Sequence, residues 1–189
     1  MAFDEKELII LAQKGDNAAF EQLVYLYDKK VLSLALKYIK DEDLAKDIYQ
    51  EVFIRVYKGL KNFQFKSEFS TWLFRITTNV CLTFKTKKAS RVFVSVNEEN
   101  MDEEPVIELK DESYESSPDR IVIGTEITRR IENALDEFPP RQKIVFILKH
   151  FEGYKIKEIA VILDCQEGTV KKYLFEAIHK LRKKLKDLN

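Results

Sequence analysis

The chain has 189 residues, 45% of them hydrophobic, with five glycines and four prolines. That length suits one ordinary domain or two small ones with a buried core, and so little Gly and Pro argues against a loop-rich or all-β fold. Its 32 basic and 32 acidic residues cancel; no apolar run approaches the roughly 18 residues of a membrane span, and Met1–Lys6 lacks the pattern of a signal peptide, so a cytoplasmic protein is expected.

Asp4-x-x-Glu7 ahead of Leu8-Ile9-Ile10-Leu11 reads as a capping box that opens a first helix. Gly15-Asp16 stops it, and Asn17 is the expected cap of the next. Phe20, Leu23, Val24, Tyr27, Val31, Leu34, Ala35 and Tyr38 then recur at three- and four-residue spacing, which predicts a long amphipathic helix. Asp41-Glu42-Asp43 puts negative charge at the start of a third helix, where the helix dipole favours it. Leu44, Ile48, Val52, Phe53, Val56 and Leu60 mark one face of that helix. After a polar-aromatic loop, Asn62 to Ser70, a fourth helix shows Trp72, Leu73, Ile76, Val80 and Phe84 on one side and is expected to end in Lys85, Lys87 and Lys88. These four helices predict one compact bundle over residues 1–88.

Residues 89–118 lose this periodicity, crowd nine acidic residues from Glu98 to Glu115 and close on Ser116-Ser117-Pro118. They read as an acidic, flexible linker. Helical pattern returns at Asp119 with Ile123, Ile127, Ile131 and Leu135. Pro139-Pro140 breaks it and starts another helix with Ile144, Val145 and Leu148. Gly153 ends that one, and two last helices are expected over about 155–163 and 166–186. The predicted fold is therefore all-α, with two small helical domains, 1–88 and 119–189. Cys81 and Cys165 have no metal or redox spacing and are expected as reduced core or half-buried thiols.

The zero net charge is unevenly spread. Residues 1–88 carry +3, residues 89–125 carry −7, and residues 126–189 carry +4. Two basic ends about an acidic middle suit contact with nucleic acid at the ends, and equally suit solvated faces.

The last two helices have the spacing of a helix-turn-helix. Ile156, Ile159, Ala160 and Leu163 form the inner face of the first, and Val170, Leu174, Ile178 and Leu181 that of the second. The turn, Asp164-Cys165-Gln166, needs a left-handed residue, a role in which Asp is tolerated next after Gly. Glu167, Thr169, Lys171, Lys172, Phe175, Glu176 and His179 are left on the outer surface, where several can enter a major groove. Gly168 allows the backbone to approach a phosphate closely. The same spacing also suits a plain helical hairpin with solvated lysines.

Read together, the two ends resemble a known family. Glu158-Ile159-Ala160 and Gly168-Thr169-Val170-Lys171 look like the "EIA…GTV+" signature of domain four of bacterial sigma factors. Pro139-Pro140-Arg141-Gln142-Lys143 resembles its "LPxxxR" lead-in, with Phe138 in place of Leu. Asp47-Ile48-Tyr49-Gln50-Glu51-Val52-Phe53 looks like the "D-x-x-Q-E-x-F" motif of sigma domain two. Phe69-Ser70-Thr71-Trp72-Leu73-Phe74-Arg75-Ile76 is similar to its "F-x-x-W-L-x-R-I" helix, and Gln13-Lys14-Gly15-Asp16 with Ala19-Phe20 to its opening. Domains one and three have no counterpart, a layout that resembles the extracytoplasmic-function group.

The resemblance implies a non-enzymatic protein without cofactor or metal, whose partners are core RNA polymerase (β′ clamp helices and β flap), promoter DNA and an anti-sigma factor. It implies that Asp47, Gln50, Glu51 and Phe53 dock on the clamp helices. The Asn62–Glu68 loop and the helix after it correspond to the surface that reads and melts the −10 element, with Phe63, Phe65, Ser67, Trp72, Arg75, Asn79, Lys85, Lys87 and Lys88. Capturing unstacked bases needs aromatic or polar pockets, a stacked base being worth roughly 1–3 kcal/mol. Phe63 and Phe65 alternate, so one of them is expected to pack inward, and Trp72 at helical spacing with Ile76 suits core as well as platform. Glu167, Gly168, Thr169, Lys171, Lys172, Phe175, Glu176 and His179 correspond to the −35 reader. Glu176 and Ile178 stand where many relatives carry arginine, which leaves Lys171, Lys172 and His179 as the cationic readers. The acidic linker resembles the segment that threads the polymerase's RNA channel, and simple solubility explains it equally well.

Two other readings fit parts of the chain. A helix-turn-helix activator or repressor explains residues 126–189 and needs no polymerase. An enzyme finds little support, since His150 and His179 are the only histidines and no Ser/His/Asp constellation or phosphate-cradling Gly loop is present.

Overall fold

The computed structural model describes residues 4–92 and 130–186, except residue 132. Among the described residues there is no strand, and the delimited helices are α1 (Glu5–Gln13), α2 (Asn17–Ile39), α3 (Glu42–Leu60), α4 (Phe69–Val92), α5 (Pro140–His150), α6 (Ile156–Leu163) and α7 (Glu167–Lys186). They divide between two compact units.

In the N-terminal unit α2 packs on α1, α3 and α4, and α3 packs on α1 and α4. The predicted stripes meet there: Leu23, Val31, Leu34, Ala35 and Tyr38 of α2, Ile48, Val52 and Val56 of α3, and Leu73 and Val80 of α4 are buried, joined by Phe74 and Cys81, while Trp72, Ile76 and Phe84 are half-buried. Each large apolar side chain removed from water contributes about 1.5–3 kcal/mol, and their helical spacing brings that burial to one face of each helix. Burial pushes the Cys81 thiol up to about 12. Cys165 is half-buried, and both cysteines are free.

The ends of these helices are set by local chemistry. The Asp4 N–H donates to Glu7 Oε2 at 3.2 Å, the reach-back expected of a capping box. Gly15 takes a φ of 95°, and the Gly15 and Asp16 N–H groups return to Ala12 and Leu11 carbonyls, closing α1 in a left-handed turn. The cap of α2 is Asp16 rather than the expected Asn17: Asp16 Oδ1 accepts from the Ala19 N–H at 3.1 Å, and Asn17 is the first helical residue. Asp41 caps α3 in the same way, through the Leu44 N–H at 3.1 Å. The fourth helix does not end at its lysines as expected but runs on to Val92. Residues 93–118 of the expected linker, and 119–129 of the expected second domain, lie outside the described residues.

In the C-terminal unit Ala177 and Leu181 of α7 pack with Ala134, Leu135, Phe138 and Phe146, and Ile131, Phe151 and Ile178 flank that cluster. Lys143 is buried, and its Nζ lies 2.6 Å from Asp136 Oδ1, so the buried ammonium is neutralised in place. Among the described residues no helix is long and apolar enough to cross a membrane.

Asp16→Ala is expected to cost about 1 kcal/mol, whereas Asn17→Ala, which removes no capping acceptor, stays near neutral. Urea unfolding followed by Trp72, the only tryptophan, reads the N-terminal unit; equal losses for both variants would return the cap to Asn17.

Candidate docking and nucleic-acid-reading surfaces

On α3 the buried stripe of Ile48, Val52, Val56 and Leu60 leaves the other side of the helix outward. Asp47 and Gln50 are exposed. Glu51 is half-buried and pairs with Arg55 Nε at 2.7 Å, one turn on. Phe53 is half-buried edge-to-face against Tyr49, with ring centroids 4.8 Å apart. Asp28 and Tyr25 of α2 lie near Tyr49, whose hydroxyl is pushed up mainly by burial. Sequence reading missed two large apolar residues on this side, Ile54 and Tyr57, 47% and 55% exposed. Their signal was available: Ile54 sits about 200° around the helix from both Val52 and Val56, so it cannot share their stripe.

The loop after α3 is built around packed aromatic rings. Phe63 is only 7% exposed, and its ring lies 5.1 Å from Trp72, 5.7 Å from Phe69 and 5.0 Å from Phe65. Tyr27 extends the group to α2 through Phe69, at 5.5 Å. Phe65 points the other way, 41% exposed, on a left-handed backbone with φ 56°. Of the alternating pair, then, Phe63 packs inward and Phe65 is displayed. Phe63, expected as a base receiver, is thus buried among Phe65, Phe69 and Trp72. Trp72 is half-buried, between core and platform; Arg75 and Asn79, on the same side of α4 by spacing, are exposed. Ser67 is half-buried and its hydroxyl donates to the Glu68 carbonyl at 3.3 Å. The backbones of Lys85, Lys87 and Lys88 continue α4, and their side chains lie outside the description.

Two residues position this loop in ways that their spacing does not show. Gln13 Nε2 donates to the carbonyls of Leu60 at 3.0 Å and Phe63 at 2.8 Å. Gly59 gives Trp72 room, since a Cβ there would stand 3.2 Å from the indole ring.

In the C-terminal unit the Lys155 N–H donates to Glu158 Oε2 at 2.7 Å, which caps the start of α6 and explains the Glu of the "EIA" segment. Asp164 is left-handed at φ 53°, and the Cys165 N–H returns to the Ala160 carbonyl at 3.0 Å. This is a helix-ending turn with Asp in glycine's place, as the sequence required. The Gln166 carbonyl then accepts from Thr169 and Val170, starting α7. Val170 and Ala177 are fully buried, while Glu167, Gly168, Lys172, Phe175 and His179 are exposed and Thr169 and Lys171 half-buried. The rings of Phe175 and His179 stack at 6.4 Å with planes 17° apart. Nothing lies within 4 Å of a Cβ built on Gly168. Glu176 accepts a hydrogen bond from the buried Gln142 Nε2 of α5, whose Oε1 in turn accepts from Lys180 Nζ at 3.3 Å. Half-buried, it thereby also ties α7 to α5.

Comparison with known proteins matches two segments of the chain to family models. Residues 23–91 match the family model of sigma-70 region 2, and residues 128–181 that of sigma-70 region 4. The chain is 32% identical over 186 residues to the RNA polymerase sigma-H factor of Pseudomonas aeruginosa, covering 97% of this chain and 95% of that protein. It is 29% identical over 192 residues to the ECF RNA polymerase sigma-E factor of Escherichia coli, covering 97% and 95%. Among solved structures, CnrH in complex with the cytosolic domain of CnrY superposes with a TM-score of 0.68 at 21% identity, covering 97% of each chain. At that identity the likeness is one of fold.

Gly59→Ala tests the close approach under Trp72. Alanine favours a helix by up to about 1 kcal/mol over glycine, but here Trp72 must move by a few tenths of an ångström, so no net gain in stability is expected and the Trp72 emission shifts. A full gain with unchanged emission would show that the approach is unimportant.

Proposed function

We propose how this chain, which belongs to the extracytoplasmic-function sigma factors and directs core RNA polymerase to specific promoters, divides that task between its two units. The N-terminal unit, expected as residues 1–88 and here extended to the end of α4 at Val92, docks on the polymerase and opens the −10 element. The C-terminal unit, residues 119–189, reads the −35 element and meets the β flap, and residues between them act as the acidic linker.

On α3, Asp47 and Gln50 with Glu51 and Phe53 are the proposed contacts to the β′ clamp helices, and exposed Ile54 and Tyr57 add apolar area beside them. A polar-acidic strip edged by apolar groups suits a basic helix pair, where charge sets orientation and the apolar rim excludes water. On the loop and α4, Phe65 and Asn79 are the proposed base receivers, with Trp72, Arg75 and Ser67 beside them and Lys85, Lys87 and Lys88 toward phosphate. On α7, Lys171, Lys172, Phe175 and His179 face the major groove, with Glu167, Gly168 and Thr169 at the helix start. The single observation that carries this reading is Phe65: a large apolar ring 41% exposed on a left-handed backbone, beside the buried ring of Phe63. The bundle's own packing gains little from such a ring, and an unstacked base gains a platform.

An anti-sigma factor is proposed as a further partner; the sigma factor RpoE of Bartonella quintana was solved in complex with the anti-sigma factor NepR. The place of action is where the polymerase is, in the cytoplasm. The reading calls on no catalytic residue, metal or cofactor in the chain.

Co-purification with core polymerase followed by run-off transcription tests the function as a whole. Tight, sequence-specific duplex binding by the free chain, without polymerase, would favour an activator or repressor instead. For docking, Asp47→Lys is expected to weaken binding to core enzyme at least about tenfold while helicity is kept; an unchanged titration would remove Asp47 from the interface. For reading, Lys172→Ala is expected either to flatten the salt dependence of promoter binding or to relax preference at one position by roughly 1–3 kcal/mol, with strand opening intact once the complex forms. Mobility shift beside permanganate footprinting separates the two quantities, and a Lys172→Ala complex that binds normally but stays closed would overturn the assignment.

A further inference from the structure

Gln13 is the last residue of α1, yet both hydrogen bonds of its side-chain amide go to the far end of α3. Nε2 donates to the Leu60 carbonyl at 3.0 Å and to the Phe63 carbonyl at 2.8 Å, across 47 and 50 residues of sequence. A primary amide has two hydrogens, so its donor capacity is fully engaged by this one turn. The carbonyls of a helix's last turn have no partner within the helix, and Gln13 supplies one from outside. The Phe63 N–H also returns to the Leu60 carbonyl at 2.9 Å, and the Asn62 N–H to Gly59 at 2.9 Å. From below, the Phe63 ring is held by Phe69 and Trp72. The segment Leu60–Phe63 is thus clamped by a donor on α1 and by an aromatic floor on α4.

Two residues beyond that clamp stands Phe65, at φ 56° and 41% exposed. A bulky side chain is disfavoured in the left-handed region, and such a conformation persists only where the surroundings over-determine it. The bundle itself does not need the Gln13 contact to hold α1, because Leu8 and Ile9 are buried against α2 and the Tyr27 hydroxyl donates to Glu5. We propose that Gln13 is a positioning residue for promoter opening: its amide fixes the Leu60–Phe63 turn so that Phe65 is held outward, in its strained conformation, before DNA arrives. Preorganisation of this kind removes the cost of ordering the loop at the moment a base leaves the duplex. The inference rests on the reading of Phe65 as a base receiver given above.

The test uses holoenzyme assembled from core polymerase and the full chain, on a duplex promoter and on the same promoter pre-opened by non-complementary strands. Gln13→Glu keeps the size of the side chain but turns both donors into acceptors facing two carbonyls. It is expected to leave core binding and closed-complex formation unchanged and to lower permanganate-reactive open complexes about tenfold on the duplex, with near wild-type initiation on the pre-opened template. Phe65→Gly relieves the positive φ, so it is expected to raise the unfolding midpoint read by Trp72 while opening also falls. Normal opening by Gln13→Glu beside a defective Phe65→Gly overturns the inference and leaves the loop reading intact. Normal opening by Phe65→Gly overturns the loop reading, and the inference with it. A Gln13→Glu defect that persists on the pre-opened template, or that includes loss of core binding, makes Gln13 a structural residue and also overturns the inference.

Discussion

A helix in a small bundle buries one stripe and must leave the opposite side to water or to a partner, and in this protein that constraint sorts almost every functional candidate. On α3 the stripe of Ile48, Val52, Val56 and Leu60 is closed against its neighbours, and Asp47, Gln50, Ile54 and Tyr57 fall outside it. On α7 Val170, Leu174, Ala177 and Leu181 are buried, which turns Lys172, Phe175 and His179 outward. The proposed docking strip and the proposed groove-facing surface are therefore what remains once each core has been satisfied. Their positions are as rigid as the cores that define them, a requirement for any contact that must meet a partner in register.

The turns between helices matter for the same reason. Among the described residues, three non-glycine residues take left-handed backbone, Lys40, Phe65 and Asp164, alongside Gly15 and Gly153. At Asp164 and Lys40 the conformation ends a helix and starts the next at a fixed angle, and short polar or flexible side chains bear it at modest cost. At Phe65 no helix is ended. The conformation there leaves one side of a ring exposed beside Phe63, and strain at an exposed residue is the pattern expected of a contact surface.

Much of this was legible in the sequence, because stripes at helical spacing and capping residues are local signals. The helix-turn-helix followed from Ile159, Ala160, Val170 and Leu174 together with a turn that demanded a left-handed residue. What was not legible depended on contacts distant in sequence, or on two neighbours with the same chemistry. Asp16 and Asn17 are both good caps, and only the backbone entry angle chose between them. Lys85, Lys87 and Lys88 look like the basic last turn of a helix, yet nothing after them breaks it before Val92. Phe63 and Phe65 are equivalent by pattern. Which of them packs is decided by Phe69, Trp72 and the amide of Gln13, partners that no window around the loop contains. Glu176 has the spacing of an outer residue, and its direction is set by the buried Gln142 of α5.

The placement of Glu176 also bears on how the C-terminal unit binds. A carboxylate on a groove-facing surface would repel phosphate, and here it is drawn instead into a hydrogen bond with Gln142, close to Lys180. That turns the carboxylate toward α5 without adding a cation, so Lys171, Lys172, Phe175 and His179 are left as the proposed contacts on the outer surface of α7. So few cationic contacts release few counterions, and binding by this surface alone is correspondingly modest. Phe175, stacked on His179, adds apolar contact of the sort that recognises a thymine methyl, which contributes discrimination more than affinity. Two modest readers on one polypeptide become strong when both engage, since the second binds at the effective concentration set by the first. Specific binding then depends on whatever holds both units at one promoter, a constraint that core polymerase supplies under the proposed docking of the N-terminal unit.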